Sequence, residues 1–399
     1  DAVPLQFLRF VANAAQGEFG VSYRMARPVA DVIAERLPAT LELALISGFG
    51  ALALGIALGC VFQRGRCCVT GAFRDVWLSG STRWLTAFGL AIAVQAVIVQ
   101  FLLGAGLIQA NVPQVAWLGV AGGSFLFGIG IVLAGGCATG TYYRSGEGLI
   151  GSWIALIFYA LLAQVMKYGA LKPVNDAARA DKSELTTIHG SLGISPWFLV
   201  AILVAVVAWA ITRQRQQRVA TLASTGKRTG LAHLLFEKPW SPYASAIAVG
   251  SLAALAYPLS NATGRNAGLG ITTPSANIVD FLATGNVERI DWGVLFVLGI
   301  IPGSYIAAKL SGEFRLRAPD ARTAVRAIGG GSLMGIGAAI AGGCTIGNAL
   351  VQTALFGYQG WLAFLFTFLG VGVAARFFIQ THRREGAAPV LVPQPAASR

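Results

Sequence analysis

The sequence predicts an all-α polytopic membrane protein of about nine transmembrane helices, built as two inverted-topology repeats with short re-entrant helices. Three observations predict it. Charged residues make up 12% of the 399 residues, about half the ~25% typical of soluble domains. Trp84 to Tyr143 and Ala327 to Ala375 contain no Asp, Glu, Lys, Arg or His, and each stretch exceeds the ~20 apolar residues that one crossing needs. A sixteen-residue motif also occurs twice, on spans running in opposite directions. This composition excludes an ordinary soluble enzyme, and its hydrophobicity excludes intrinsic disorder. The apolar runs do not alternate with polar residues, so a membrane barrel is excluded too.

Uncharged stretches place the spans at 43–62, 84–104, 117–134, 149–168, 195–212, 243–260, 292–310, 327–341 and 361–379. Basic residues then orient them. Arg64, Arg66, Arg74 and Arg83 fill the loop 63–83, whereas 105–116 has no basic residue. The loop 213–242 carries Arg213, Arg215, Arg218, Lys227, Arg228 and Lys238, and 311–326 carries Arg315, Arg317, Arg322 and Arg326. Arg383 and Arg384 follow the last span. Putting these in the cytoplasm fits nine crossings of a bacterial inner membrane, with the N-terminus outside and the C-terminus inside. Arg9, Arg24, Arg27 and Arg36 of the leading segment fall on the outer side, against the rule. The divisions are a leading segment 1–47, a first transmembrane half 48–212, a cytoplasmic linker 213–242, a second half 243–380 and a cytoplasmic tail 381–399.

The net charge of +13 would suggest nucleic acid in a soluble chain, but here it sits in topology-setting loops. Residues 1–42 do not read as a signal peptide. The chain begins at Asp1, and sequence upstream of it is expected. The five cysteines, Cys60, Cys67, Cys68, Cys137 and Cys344, form no C-x-x-C pair and have no nearby histidine. Neither a disulfide framework nor a zinc site of familiar spacing is indicated, and no cofactor is expected.

The repeat is the strongest feature. Gly122 to Cys137 reads GGSFLFGIGIVLAGGC, and Gly329 to Cys344 reads GGGSLMGIGAAIAGGC, identical at ten of sixteen positions. They fall on the third and eighth spans and so cross in opposite directions, an arrangement that in secondary transporters puts the substrate near the midplane. Glycines at four-residue spacing ordinarily serve helix packing, but packing does not explain why both copies end in Gly-Gly-Cys. Paired glycines break a helix, and irregular backbone survives in a membrane only where protein or a wet path satisfies it. Gly135–Gly136 and Gly342–Gly343 are therefore expected to end their helices early. ATGTYYRSGEG and TIGNALVQT then follow as short re-entrant helices whose N-termini favour an anion.

A buried thiol away from positive charge keeps its proton, leaving a weak donor on a soft sulfur. Serine, arginine or backbone N–H groups would hold sulfate better, so thiols point to an ion with an exposed sulfur or selenium atom. Cys60, without a surrounding motif, reads as a small apolar filler. A third element, QRGRCCVTGAFRD (Gln63 to Asp75), carries Cys67 and Cys68. Its counterpart in the second half, NATGRNAGLGITTPSANIVDF (Asn261 to Phe281), has no cysteine.

RGRCCVTGAFRDVWLSG, FGIGIVLAGGCATGTYYRSGEG and GIGAAIAGGCTIGN together resemble the YeeE/YedE family of sulfur-transport membrane proteins, over about residues 48–380. The resemblance implies a nine-span inverted-repeat fold and uptake of thiosulfate, with relatives linked to selenium. It implies that Cys68, Cys137 and Cys344 contact the ion in turn through S–H hydrogen bonds, without a large alternating-access motion. It also implies a small cytoplasmic sulfurtransferase of the TusA type as a partner. Family members usually have an aromatic residue where Cys67 stands, so the vicinal pair is a departure, and either Cys67 or Cys68 faces the path. Residues 1–47, with GEFGVSYRMARPVADVIAERLPATLELAL, instead resemble a fragment of a dipeptide-type ABC transporter permease.

The expected function is a non-enzymatic permease for thiosulfate or a related sulfur anion. The candidate substrate contacts are Cys68, Cys137, Cys344, Gly135, Gly136, Gly342 and Gly343, in a membrane-lipid setting. A selenium-compound carrier is the alternative. A membrane thiol oxidoreductase or a soft-metal transporter is weaker, since only Cys67–Cys68 is paired and no metal-ligand set is visible. No G-x-x-x-x-G-K-[ST] loop is present to drive transport with nucleotide.

Overall fold

In the computed structural model, residues 12–13, 20–22, 27–66, 68–216 and 240–380 are described. Cys67, the linker residues 217–239, the tail 381–399 and most of the first 26 residues lie outside them. The chain divides into two units, 1–50 and 51–399. In the first, Val21–Ser22 (β1) pairs antiparallel with Arg27–Pro28 (β2). Arg27 pairs with Glu35 at 3.0 Å.

The helices are Val29–Gly65 (α1), Val69–Ser79 (α2), Arg83–Gly104 (α3), Trp117–Leu133 (α4), Ala138–Gly146 (α5) and Ile150–Lys167 (α6). Lys172–Ala178 (α7), Ile188–Leu192 (α8), Pro196–Gln216 (α9), Pro242–Asn261 (α10) and Thr272–Thr284 (α11) follow. Trp292–Leu310 (α12), Ala321–Ile340 (α13), a π-helical segment Thr345–Gln352 and Tyr358–Ala374 (α14) complete the bundle, with π-helical turns continuing to Gln380. Among the described residues, nine helical stretches are long and apolar enough to cross a membrane. The protein is an all-α, multi-pass membrane protein.

Local chemistry sets the boundaries. Asp291 caps α12 by accepting from Val294 N–H at 2.9 Å, and Ser241 caps α10 by accepting from Ala244 N–H at 3.1 Å, with Pro242 next. The short helices α2 and α11 both stop at left-handed glycines, Gly80 (φ 67°) and Gly285 (φ 70°).

Lipid supplies no hydrophobic drive between helices, so close packing has to hold them. The glycines provide it, and the contacts run crosswise. Helices α4 and α13 lie antiparallel. A methyl built on Gly123 would meet Gly337 and Ala341 backbone, and one on Gly130 would meet Gly330 and Met334 backbone. Gly123 and Gly330 occupy the same place in the two motif copies, as do Gly130 and Gly337, so each glycine faces the counterpart of the other. Gly128 of α4 packs on Thr367 and Gly370 of α14, and its counterpart Gly335 of α13 packs on Tyr159 and Ala163 of α6. Helix α1 runs along α12 through Gly55, Gly59, Gly299 and Gly303, while Gly250 of α10 packs on Ala91 of α3.

Loops gather in two sets. Ser183 N–H donates to Val115 O at 3.0 Å, Asn111 N–H to Asn266 O at 2.9 Å and Tyr358 N–H to Thr186 O at 3.0 Å. In the other set, Ile150 N–H donates to Arg317 O at 3.1 Å, and Gln63 Nε2 donates to Glu313 Oε2 at 2.7 Å. The basic loops after α1 and α12 fall together in this second set, and the loops without that charge excess in the first.

Candidate functional site

Each Gly-Gly-Cys does three things in order. The first glycine ends the helix in a left-handed conformation, Gly135 at φ 73° and Gly342 at φ 76°. This geometry costs an L-residue with a side chain ~1–2 kcal/mol. The second glycine makes room at the second break, where a methyl on Gly343 would lie 2.9 Å from Asn348 Oδ1; at the first break a methyl on Gly136 would only touch Arg144 Nη1, at 3.4 Å. The cysteine then caps the next helical segment in extended conformation: Cys137 before α5 and Cys344 before the π-helical segment. Cys137 Sγ accepts from Gly140 N–H at 3.4 Å. Cys68 stands in extended conformation before α2, without a side-chain cap bond.

Arginines hold both breaks. Arg144 Nη1 donates to the carbonyl of Gly135, and Arg179 Nη1 donates to Ile340 O at 2.8 Å. Asn348 Nδ2 donates to Ala341 O at 3.2 Å and Gly343 O at 3.1 Å, and Gln359 Nε2 donates to Asn348 Oδ1 at 2.9 Å. The carbonyls exposed by each break thus have donors, as they must inside a membrane.

The thiols of Cys68, Cys137 and Cys344 are buried, at 8%, 2% and 2% exposure, within one core. Two of them meet. A methyl on Gly140 would lie 3.3 Å from Cys68 Sγ and 3.4 Å from Cys137 Sγ. Cys344 lies within electrostatic range of Cys137, Tyr142 and Tyr159. Tyr142 Oη bonds Ser275 Oγ at 2.8 Å, and Tyr159 Oη donates to Thr272 Oγ1 at 2.9 Å, tying α11 to α5 and α6. Cys60 is elsewhere: its S–H donates to Gly303 O at 3.0 Å, at the contact between α1 and α12.

A polar cavity of about 140 Å³ opens beside Cys344, lined by Gly342, Gly343, Asn348, Gln359, Thr272 and Arg265 among others. Arg265 lies over the Trp292 ring at 5.5 Å, and its Nη1 is buried with no hydrogen-bond partner. Burial pulls its guanidinium down from its ordinary value, opposed by Asp291 and Tyr257. The sequence reading missed Arg265. Its signal was that it is the only charged residue between Lys238 and Asp280. A second cavity of about 250 Å³ is lined by Arg66, Glu147, Glu313, Arg315 and Arg317. Glu313 pairs with Arg66 at 3.2 Å. Burial pushes the Glu147 carboxyl up, against the pull of Arg66, Arg144 and Arg317. Among the described residues, no three of His, Cys, Asp and Glu converge as a metal-binding group.

Residues 64–373 match the sulphur-transport family, most of the chain and both Gly-Gly-Cys breaks. The chain belongs to that family. It is 49% identical over 327 residues to the thiosulfate transporter TsuA of Escherichia coli (strain K12), covering 81% of this chain and 92% of that protein. It is 34% identical over 334 residues to the thiosulfate transporter TsuA of Spirochaeta thermophila, covering 80% and 95%. A shorter likeness, 35% over 118 residues, is to the glutathione transport system permease protein GsiC of Escherichia coli (strain K12), covering 29% of this chain and 34% of that protein. The relatives named are transporters, and this sulphur-transport family member is a transport protein rather than an enzyme.

Proposed function

We propose that this protein is a permease for thiosulfate, in which Cys344, Cys137 and Cys68 serve as successive S–H donors to the ion's terminal sulfur. The observation that carries the reading is where the thiols stand: Cys344 borders the cavity that Arg265 also lines, and Cys137 and Cys68 meet over Gly140. Its closest support from outside the chain is the extent of the likeness to thiosulfate transporters.

Arg265 draws the dianion into the first cavity and offsets part of its desolvation, and the unpartnered Nη1 is free to donate to it. Gly342–Gly343 and Gly135–Gly136, packed against Arg179, Asn348 and Arg144, offer the ion backbone beside the thiols. The thiols bind weakly and at several places, so the ion can enter and leave each one. Arg66, Arg315 and Arg317 receive it at the second cavity. That end faces the cytoplasm of a bacterial inner membrane by the loop-charge rule, with the N-terminus outside and the C-terminus inside. The two motif copies form an inverted repeat, joined through the linker 213–242, and residues 1–47 take no part in transport. Net uptake follows consumption inside, by a small sulfurtransferase of the TusA type.

The test is growth on thiosulfate as sole sulfur source in an uptake-deficient host carrying this gene. Cys137→Ala and Cys344→Ala each abolish growth and uptake while the protein still inserts in the membrane. Wild-type uptake by both variants ends the reading.

A further inference from the structure

Each of the three thiols is followed, in the first turn of the segment it caps, by a threonine: Cys68 by Thr70, Cys137 by Thr139 and Cys344 by Thr345. These threonines are buried, at 3%, 1% and 1% exposure. None of their three hydroxyls has a hydrogen-bond partner among the described residues.

Other buried serine and threonine hydroxyls of the bundle are paired. Thr141 Oγ1 donates to Ala138 O at 2.6 Å, Ser145 Oγ to Thr141 O at 2.7 Å and Thr353 Oγ1 to Ala349 O at 2.8 Å. Such back-bonding to a carbonyl three or four residues earlier is how a hydroxyl inside a helix is satisfied. In a first turn no helical carbonyl lies behind the side chain. At Thr139 the carbonyl four residues back, that of Gly135, already accepts from Arg144. A buried hydroxyl left unpaired is costly, and the pattern recurs at all three thiols. Buried side chains elsewhere also hold unpaired donors, at Gln95, Gln100, Tyr257 and Trp292 among others, but among the described residues the serine and threonine hydroxyls left buried and unpaired are these three, each beside a thiol.

We infer that Thr70, Thr139 and Thr345 form the oxygen-binding half of the path. This rests on the thiosulfate reading above. Thiosulfate has two chemically different ends, one soft sulfur and three oxygens sharing the negative charge. At each station the S–H meets the terminal sulfur, and the threonine O–H donates to an oxygen. The pairing makes these threonines specificity-determining residues. Sulfide offers no oxygen to the hydroxyls, and sulfate offers no exposed sulfur to the thiols, so neither engages both members of a station.

The test compares Thr70→Val, Thr139→Val and Thr345→Val with the corresponding Thr→Ser variants. Valine keeps the shape and loses the hydroxyl; serine keeps the hydroxyl. Each full-length protein is reconstituted in liposomes and radiolabelled thiosulfate uptake is measured over a concentration series, alongside thermal stability in detergent. The expected result is a rise in KM of about tenfold for each valine variant and a near wild-type KM for each serine variant. Thermal stability of the valine variants stays equal to or above wild type, since no protein hydrogen bond is lost. Unchanged KM in all three valine variants, or lowered stability with unchanged KM, overturns the inference. If the cysteine variants are inactive while the valine variants keep wild-type KM, the threonine assignment alone falls. A wild-type protein that carries no thiosulfate overturns both readings.

Discussion

The crosswise glycine contacts make a prediction that pairs positions far apart in sequence. Gly130 and Gly337 occupy the same place in the two motif copies, and both are in close contact. A methyl on Gly130 would sit 2.7 Å from Met334 N and 2.9 Å from Gly330 O; one on Gly337 would sit 2.6 Å from Gly123 O and Phe127 N. Ordinary carbon contacts begin near 3.5 Å, so each substitution must push α4 and α13 apart by most of an ångström. Both sides of the contact are backbone and cannot swing away. Overpacking of this kind costs ~1–3 kcal/mol, and alanine's better helix propensity returns ~1 kcal/mol at most. Gly122 and Gly329 are the control pair. They also correspond, also lie inside α4 and α13, and have nothing within 4 Å of a built methyl. There only the propensity gain operates. Thermal unfolding of the detergent-solubilised protein therefore shows Gly130→Ala and Gly337→Ala lowered by similar amounts, and Gly122→Ala and Gly329→Ala equal to wild type or raised. Wild-type stability in the first pair, or a loss in the second to match it, would refute the pseudo-symmetric packing.

Two further outcomes separate structural from functional groups. Cys60→Ala keeps wild-type thiosulfate uptake and loses ~1 kcal/mol of stability through the bond to Gly303 O, read by uptake and thermal unfolding in parallel; loss of uptake would move Cys60 into the path. Arg265→Gln raises the KM for thiosulfate about tenfold or more and weakens its dependence on ionic strength, because a charge-assisted contact is worth ~1.5–3 kcal/mol; an unchanged KM would remove Arg265 from the entrance.

The spans were legible because nothing but lipid-facing or interior helix tolerates so long a charge-free run. The span read as 292–310 has those same ends in α12. The one read as 327–341 begins earlier, at Ala321, because Arg322 is exposed and Arg326 half-buried on the first turns of the same helix, and charge does not end a helix where its end is wet. Helix α11 was not legible as a helix. Its TTPSANIVDFLAT has no apolar run, since its polar side chains are used internally: Thr272 and Ser275 serve tyrosines, and Asp280 takes Arg289 at 2.7 Å. The Gly-Gly breaks were readable from the repeat, because a left-handed turn needs glycine; that each cysteine stands at the cap of the next segment was not. That Cys68 meets Cys137 was not, since it depends on how α2 and α5 dock rather than on any local pattern. Arg265 was hidden for the same reason: its significance comes from Cys344, brought next to it from nearly eighty positions downstream.

The exchange of packing partners has a consequence for biosynthesis. Helix α4 rests on α13 and α14, which are translated about two hundred residues after it. A nascent chain that has inserted only as far as α9 therefore holds a complete Gly-Gly-Cys break, with Arg144 and Cys68 beside it, on a helix whose partners α13 and α14 do not yet exist. Its helices can enter the bilayer one by one, but they cannot settle until the last one arrives. Maturation is thus a late, concerted event, and a chain truncated after residue 216 is expected to be a substrate for quality control rather than a working half.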